Sequence, residues 1–559
     1  QETVRQDINR FIGSMTANYR PASWLTARGN FGADFTNRVD RDLCRRNTCS
    51  NFGSSRLGFK GDYRTAFNVY TVDAAATANA HPRSWLTSGT TVGAQYYRNV
   101  FDRNGANGSI LPPGSSTVTA GSVQTADEST SESRTLGAFV EENLGIRDRL
   151  FITGAVRSDR NSAFGADFKT VFYPKLSVSW VVSEEPFFPS MGFLDELRLR
   201  TAYGASGVQP GTIDAVQFFS PTSGRFEGAE VPGVAFNAIG NRVLKPERST
   251  ELEMGVDARF FGNRVNTELT YDSKDSRDAL IARPLPLSLG FGGSAANTVR
   301  FENLGEVRNW GFEWLVNGQI LERSALGWDI TVSGSHNSNE LVDLGGVPPI
   351  IGSTIQNREG FPLNGYWQRP LKSFSDLDGN GIITVNELVV GDTAEFIGYS
   401  QPRTEITFTN GFDLFNRKVR ITALFDHKSG NVLLNGTERI RCQSRNNCRG
   451  DVDRTAPLWE QARAVAVRSH PSATQAGYME DASFWRFREL GLTLNAPDRF
   501  ARRLGGRSLS ATFSARNLKV WSDYSGIDPE SNYGQNDVPT DFQTAPPPSY
   551  YTLRVNLGF

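Results

Sequence analysis

The last ten residues of the chain alternate between apolar and polar side chains with a period of two. From position 551 onward, every second residue is apolar and the residues between are polar or small. The apolar positions are Leu553, Val555, Leu557 and Phe559. Such alternation predicts a β-strand with one apolar and one polar face, and here that strand ends the chain on an aromatic residue.

The same alternation recurs along the whole chain and predicts about 17 strands, most of them about 10–15 residues long. Soluble strands run for about 5–6 residues, whereas a tilted crossing of a membrane takes about 9–11. Turn lengths alternate as well. Short turns are predicted near 21–23, 81–83, 145–148, 262–263, 322–324 and 415–417, and long polar loops over 102–132, 207–246, 277–305, 341–401, 427–480 and 521–547. Long strands with short turns at one end and long loops at the other indicate an all-β fold, a transmembrane antiparallel β-barrel.

Other classes fit the sequence less well. A soluble β-sandwich shows the same alternation, but strand length, loop asymmetry and the terminal Phe559 favour the barrel. No run approaches ~18 apolar residues, so no transmembrane helix is expected. The net charge of −1 gives no field that would attract nucleic acid. Neither an H-E-x-x-H nor a G-x-S-x-G motif occurs, and no phosphate-binding loop, so we expect neither an enzyme nor a nucleic-acid partner.

The four cysteines form two pairs that are close in sequence. Cys44 and Cys49 lie in one polar stretch, and Cys442 and Cys448 lie in another. Two local disulfides on exposed loops would fit an oxidising compartment. A zinc site is less consistent with the sequence, because the spacings are wrong for one and no histidine lies near either pair.

Strand direction gives an expectation about what precedes residue 1. The first predicted strand, near 8–20, leads into a short turn, and the last predicted strand runs in the same direction. Single-chain bacterial barrels have even strand numbers. We therefore expect an odd number of strands to be missing before the first residue.

Five stretches resemble the SusC/RagA-like family of TonB-dependent outer-membrane transporters. They are 244–255 (LKPERSTELEMG), 303–313 (NLGEVRNWGFE), 376–381 with 397–402 (DLDGNG, IGYSQP), 482–490 (ASFWRFREL) and 515–530 (ARNLKVWSDYSGIDPE). The resemblance implies a barrel of about 22 strands, of which 1–559 would be the C-terminal part, without about five strands and the plug domain. It also implies that Phe559 belongs to the signal for assembly into the bacterial outer membrane.

The family resemblance further implies a function. An intact member imports oligosaccharides or oligopeptides, contacts TonB through its N-terminal plug, and works with a SusD-like lipoprotein, often as a dimer of barrels in the outer-membrane lipid. One alternative is a plug-less barrel that serves as a surface scaffold or adhesin. A second is a secreted β-rich protein that binds or hydrolyses glycans.

One segment of the long loop 341–401 matches a metal-binding motif. Residues 376–387 match the calcium-loop pattern D-x-[DN]-x-[DN]-G-x5-E at every defined position. The expected oxygen donors are Asp376, Asp378, Asn380, the Ile382 carbonyl, Thr384 and Glu387. Because the flanking residues do not read as helical, we expect an isolated structural calcium loop. The alternative is a polar turn without an ion.

A weaker candidate for cargo binding lies in the last long loop. Trp521, Tyr524 and Asp528 could contact a ligand there, since loop aromatics often stack on sugars or peptides. The alternative is that these side chains pack the loop itself.

Overall fold

The fold is almost entirely β-structure. The computed structural model describes residues 2–49, 53–164, 170–211, 214–286, 288, 299–532 and 538–559. Within these residues there are thirty strands and four α-helices, numbered here in chain order. No helix in this described part of the chain is long and apolar enough to cross a bilayer.

Seventeen of the described strands form one sheet, which is the number that the alternation predicts. They are β1 Glu2–Ala22, β2 Leu25–Cys44, β3 Phe59–Arg83, β4 Leu86–Ser109, β5 Val123–Ile146, β6 Leu150–Asn161, β7 Val171–Val181, β8 Leu194–Val208, β11 Glu247–Phe260, β12 Val265–Arg277, β15 Glu306–Glu322, β16 Leu326–Asp343, β23 Thr404–Leu414, β24 Val419–Ser429, β27 Phe484–Asn495, β28 Ser508–Ser522 and β30 Tyr550–Gly558. Most connections alternate between short and long, as predicted, but residues 182–193 and 496–507 make longer connections where short turns would continue the alternation. Short turns use left-handed residues, for example Phe415, Asn416 and Arg417 with φ of 55°, 56° and 60°.

The other strands belong to the long connections. They are β9 Phe218–Phe226, β10 Ala229–Ala238, β13 Leu280–Pro284, β14 Val299–Asn303, β17 Ile350–Ile351, β18 Ile355–Asn357, β19 Gly365–Gln368, β20 Leu371–Phe374, β21 Leu388–Val390, β22 Glu395–Gly398, β25 Val432–Asn435, β26 Met479–Asp481 and β29 Thr540–Asp541. The helices are α1 Gly436–Ile440, α2 Arg449–Val452, α3 Leu458–Arg468 and α4 Asp498–Arg503.

The chain divides into two compact units. The first contains residues 1–178, 202–250 and 277–304, and the second contains 179–201, 251–276 and 305–559.

In the first unit, strands extend further than the sequence indicates. β4 pairs with β5 without a break from Leu86↔Ile146 to Ser109↔Val123. The predicted loop over 102–132 is therefore wrong, and only residues 110–122 connect the two strands. The reason is that this part of β5 is polar on both faces, so no alternation reveals it, whereas backbone hydrogen bonds continue the ladder regardless of side chains.

In the second unit, the C-terminal strand is present as predicted and pairs with β28. Leu553 lies opposite Phe513 and Val555 lies opposite Ala511 on the neighbouring β28. Leu553 and Val555 are 72% and 63% exposed to the surroundings of the chain. An exposed apolar face of this length is suited to lipid.

The opposite face of the same unit carries cross-strand ion pairs. Arg420 lies 2.9 Å from Asp329 and 2.8 Å from Asp413, and Asp257 accepts from both Arg198 and Arg200 at 3.1 and 3.0 Å. One face is therefore apolar and the other charged, as in a barrel wall that separates lipid from an aqueous interior.

Candidate functional site

The three longest connections of the second unit fold together into a layer with its own core. We call this the loop layer and define it as 344–403, 430–483 and the described residues of 523–549. Its largest fully buried side chains are Tyr366 and Tyr478, both 0% exposed. Burial raises the pKa of Tyr366 to about 12. The loop layer is therefore an ordered hydrophobic structure, where the sequence indicated only polar loops.

Contacts between distant residues hold the loop layer together. The Tyr366 hydroxyl donates to the Pro539 carbonyl at 2.8 Å, and the Thr437 hydroxyl donates to Asp541 at 2.9 Å. Strand β25 pairs antiparallel with β26 and parallel with β29. Three segments far apart in the chain thus share one small sheet.

Helix α3 is fixed in this layer by a buried arginine. The Arg463 guanidinium lies 4.6 Å from the Trp459 ring centre and 4.8 Å from that of Tyr478. It also pairs with Glu480 at 3.2 Å. Rings on two sides and a carboxylate compensate the burial of this charge.

Both predicted disulfides are confirmed. Cys44 is bonded to Cys49, and Cys442 is bonded to Cys448. Cys442 and Cys448 are buried in the same hydrophobic cluster as Tyr366. This second bridge therefore closes a short loop at the core of the loop layer.

The predicted calcium loop 376–387 lies between two paired strands, β20 and β21. Two glycines in the left-handed region, Gly379 at φ 72° and Gly381 at φ 76°, make the tight turn. Only glycine adopts these angles without strain. The expectation of a loop without the flanking helices of an EF-hand agrees with these strands.

The acidic side chains of this loop converge. Carboxylate oxygens of Asp376, Asp378 and Glu387 lie within 4.8 Å of one another. Glu387 is 8% exposed and accepts from the backbone N–H groups of Leu377 and Thr384, both at 2.8 Å. Hydrogen bonds from these N–H groups, with that of Thr384 contributing most, lower the pKa of Glu387 below its usual value. The loop thus keeps a carboxylate charged beside two others, a donor set suited to a hard cation.

The remaining predicted donors surround this group. The Asn380 carboxamide lies beside Asp378, to which its Nδ2 donates at 2.7 Å, and the Thr384 hydroxyl donates to Glu387 at 2.9 Å. The Ile382 N–H donates to Asn380 Oδ1 at 2.7 Å. All six predicted residues therefore belong to one compact turn.

Gln461 of α3 attaches this loop to the core, a contact that the sequence analysis did not predict. Gln461 is 3% exposed, accepts from the Ile383 N–H at 3.0 Å and donates to the Gly381 carbonyl at 3.1 Å. Ile383 packs with Leu388 and Ala462 in a buried cluster. A glutamine on a helix has no pattern in sequence that identifies its partner 78 residues away.

Two of the family-like stretches contact each other through buried ion pairs. Arg486 of β27 lies 2.7 Å from Asp528 and 3.1 Å from Glu530. Arg488 pairs with Glu530 at 2.9 Å and also with Asp426. Arg486 and Asp528 are 3% and 4% exposed. This cluster fixes the loop after β28 to the first residues of β27.

The three weaker candidates for cargo contact do not converge on one surface. Asp528 is bound to Arg486, and Tyr524 is 7% exposed with its hydroxyl donating to Asp541 at 3.1 Å. Burial raises the pKa of Tyr524. Trp521 lies at the end of β28 opposite Trp485 and is 49% exposed. Tyr524 and Asp528 are thus packed inside the loop layer, whereas Trp521 is accessible, and cargo contact by these three residues stays a prediction.

The terminal aromatic residue is accessible. Phe559 follows β30 directly and is 82% exposed. Its role in assembly stays a prediction.

Comparison with known proteins gives consistent matches. Residues 3–422 match the family model described as TonB dependent receptor-like, beta-barrel. The TonB-dependent receptor P26 of Formosa agariphila is 25% identical to this chain. The alignment covers 100% of this chain and 60% of that receptor. The TonB-dependent receptor SusC of Bacteroides thetaiotaomicron is 24% identical over 61% of this chain and 34% of its own length.

Solved structures match the fold. A chain of the RagAB peptide transporter superposes with a TM-score of 0.80 at 19% identity, covering 99% of this chain and 62% of that one. The chain thus spans 60% of the length of one curated relative and 62% of that transporter chain.

Proposed function

The chain belongs to the family of TonB-dependent receptor-like β-barrels, and from this membership we propose that it serves TonB-dependent import of oligosaccharides or oligopeptides. Its location is the bacterial outer membrane, and its family is one of transport receptors and not of enzymes. The match of residues 3–422 carries the proposal. The likeness to SusC and to a peptide transporter supports the two cargo classes.

We propose the partners on the same basis. TonB would act through a plug domain, and a SusD-like lipoprotein would cover the loop layer, with two barrels per assembly. The loop layer supports this role, because it has a folded core and yet presents apolar side chains to solvent. Trp459 is 47% and Leu377 is 74% exposed. Exposed apolar groups on a rigid surface are typical of protein interfaces.

Uptake by cells tests the proposal. Strains lacking the gene, or lacking TonB, are supplied with labelled oligosaccharides and oligopeptides, and the outer-membrane complex is purified in mild detergent. We expect both deletions to abolish uptake of one cargo class and a lipoprotein to copurify. Unchanged uptake in both strains, with no lipoprotein, would instead support a scaffold or adhesin.

We also propose that the loop 376–387 binds calcium as a structural ion. The residues fit the ion: three carboxylates converge, an amide and a hydroxyl lie beside them, and the Ile382 carbonyl belongs to the same turn. Calcium prefers six to eight such oxygens. Bound there, it would neutralise the crowded charges and stiffen the contact of the loop with Gln461.

Calorimetry on the detergent-purified protein after chelator treatment tests the calcium proposal. Asp378→Ala should abolish the heat of calcium binding, whereas Asp392→Ala, an exposed acid shortly after the loop, should preserve it. Heat that is absent from the parent protein, or equal in both variants, would refute the proposal.

A further inference from the structure

A polar cavity lies where two neighbouring strands of the sheet separate. β16 stays paired with β15 as far as Asp343, but its pairing with β23 ends at His336↔Thr404. Beyond that point, residues 399–403 lie beside β16, and the Asn337 N–H donates to the Arg403 carbonyl at 2.7 Å. The notch contains a cavity of about 270 Å³.

The floor of this cavity is formed around a glycine. A Cβ atom at Gly311 would lie only 2.4 Å from Asn337 Oδ1 and 2.7 Å from Asp272 Oδ1. The absence of a side chain at Gly311 therefore allows two acceptor oxygens to approach the same point. Neither side chain forms a hydrogen bond or an ion pair with another residue in the described part of the chain, so both oxygens are available to donors from a ligand.

The rest of the lining offers both donors and acceptors. Asn309 lies opposite Asn339, two positions along the strands from Gly311 and Asn337, and therefore on the same face. Carboxamides supply N–H donors and an acceptor oxygen; the oxygen of Asn339 already accepts from the Leu363 N–H at 2.8 Å, so Asn339 offers its N–H donors. Trp310 also borders the cavity, but it lies between Asn309 and Gly311, so its side chain is on the other face of the strand.

The charges of the cavity balance. Among the described residues that line it, Asp272 is the one carboxylate and Arg403 the one cation. The Arg403 guanidinium is already engaged, 4.6 Å from the Tyr399 ring centre and donating to Ser338 at 2.6 Å. A cationic ligand would be repelled by Arg403 and an anionic one by Asp272. A neutral ligand rich in hydroxyl groups meets neither penalty, since vicinal hydroxyls can donate to Asp272 and Asn337 and accept from the amides.

We propose that this notch is a binding site for one sugar unit of a neutral glycan. The volume lies at the lower end of the range for ligand pockets, so a longer glycan would extend beyond it. The inference rests on the proposed import function and chooses the glycan class within it. The carboxamides and Asp272 would bind the hydroxyls of the sugar.

Glycan binding by matched variants tests this site. The receptor, purified in detergent from outer membranes, is applied to an array of neutral oligosaccharides, anionic oligosaccharides and short peptides, and the best ligand is titrated by calorimetry. Asp272→Asn and Asn337→Ala should each weaken the binding of a neutral glycan by about tenfold or more. Gly311→Ala, which fills the floor, should abolish binding.

The control is Glu313→Gln, the same acid-to-amide change in a separate cavity on β15. It should bind as the parent does. Heat-modifiable migration in gels checks that each variant folds. Binding of peptides only, of no neutral glycan, or of a glycan equally well by the Asp272, Asn337 and Glu313 variants would overturn the proposal. Glycan binding with the expected pattern but without TonB-dependent uptake would leave the site standing and refute the import function.

Discussion

The loop layer and the first strands of the chain are stabilised in different ways, one by burial from water and the other by contact with lipid. In the loop layer, Tyr366 and Tyr478 are fully buried. In β1, by contrast, Phe11 and Met15, which share one face, are 62% and 69% exposed. A soluble domain of such strands would lack a core, whereas a lipid-facing strand needs none, because its backbone ladder is satisfied and its apolar face contacts acyl chains. One chain thus combines a fold driven by burial from water with one that relies on lipid.

Removing the largest buried side chain of the loop layer tests the first half of this comparison. Tyr366→Ala should cost about 3–5 kcal/mol of local stability, since it leaves a cavity and deprives the Pro539 carbonyl of its donor. Hydrogen exchange in nanodiscs should show faster exchange in the loop layer and no change in β3 or β4. Faster exchange in those strands as well would contradict the separation of the two regions.

Breaking the buried ion cluster should have an effect of similar size. Arg486→Ala leaves Asp528 buried without its cation, which costs about 3–5 kcal/mol. Arg516→Ala is the control, because its pair with Glu489 is 46% and 24% exposed and such pairs contribute about 0–1 kcal/mol. Equal protection of residues 523–532 in both variants would show that the cluster does not fix the loop.

A charge placed on the apolar face of a strand tests whether that face contacts lipid. Val555→Arg should destabilise the folded barrel by about 2–4 kcal/mol if this position lies near the middle of the bilayer. Asn556→Arg, on the other face of β30, should cost much less. Urea titration in lipid vesicles measures the difference, and equal costs would indicate that both faces meet water.

The smallest expected effect is that of acid on the calcium loop. Because the folded-state pKa of Glu387 lies below its ordinary value of 4.5, the charged form stabilises the loop above that value. The stabilisation is lost as the pH falls through the lower folded-state pKa. Exchange of residues 376–387 in calcium-free buffer should be constant from pH 7 to 5, after correction for intrinsic rates, and increase below the ordinary value. Glu387→Gln should remove this step, and Glu395→Gln should preserve it.

The strands could be predicted well from the sequence because the alternation of apolar and polar residues is a local pattern within each strand. The alternation that ends at Phe559, the number of strands and the alternation of turn lengths all come from local patterns, as do the two disulfides with sequence separations of 5 and 6. The exception is the polar part of β5, where neither face is apolar and the period of two disappears.

The loop layer could not be predicted in the same way, because its contacts join distant residues. Tyr366 reaches Pro539, and Thr437 reaches Asp541, with no repeating pattern around any of the four. The calcium loop was found from its motif, which is local. Its attachment to Gln461 was not, and the burial of Tyr524 became visible only once the loops were folded together.

The claim that one face of the sheet contacts lipid and the other contacts water is tested most directly by a scan of β30 with nitroxide labels. All four cysteines of the chain are in disulfides, so single cysteines introduced at 551–556 can be labelled selectively in nanodiscs. Labels at 551, 553 and 555 should collide with oxygen, which concentrates in lipid. Labels at 552, 554 and 556 should collide with a water-soluble nickel chelate. Equal access of the nickel chelate to all six positions would contradict this claim.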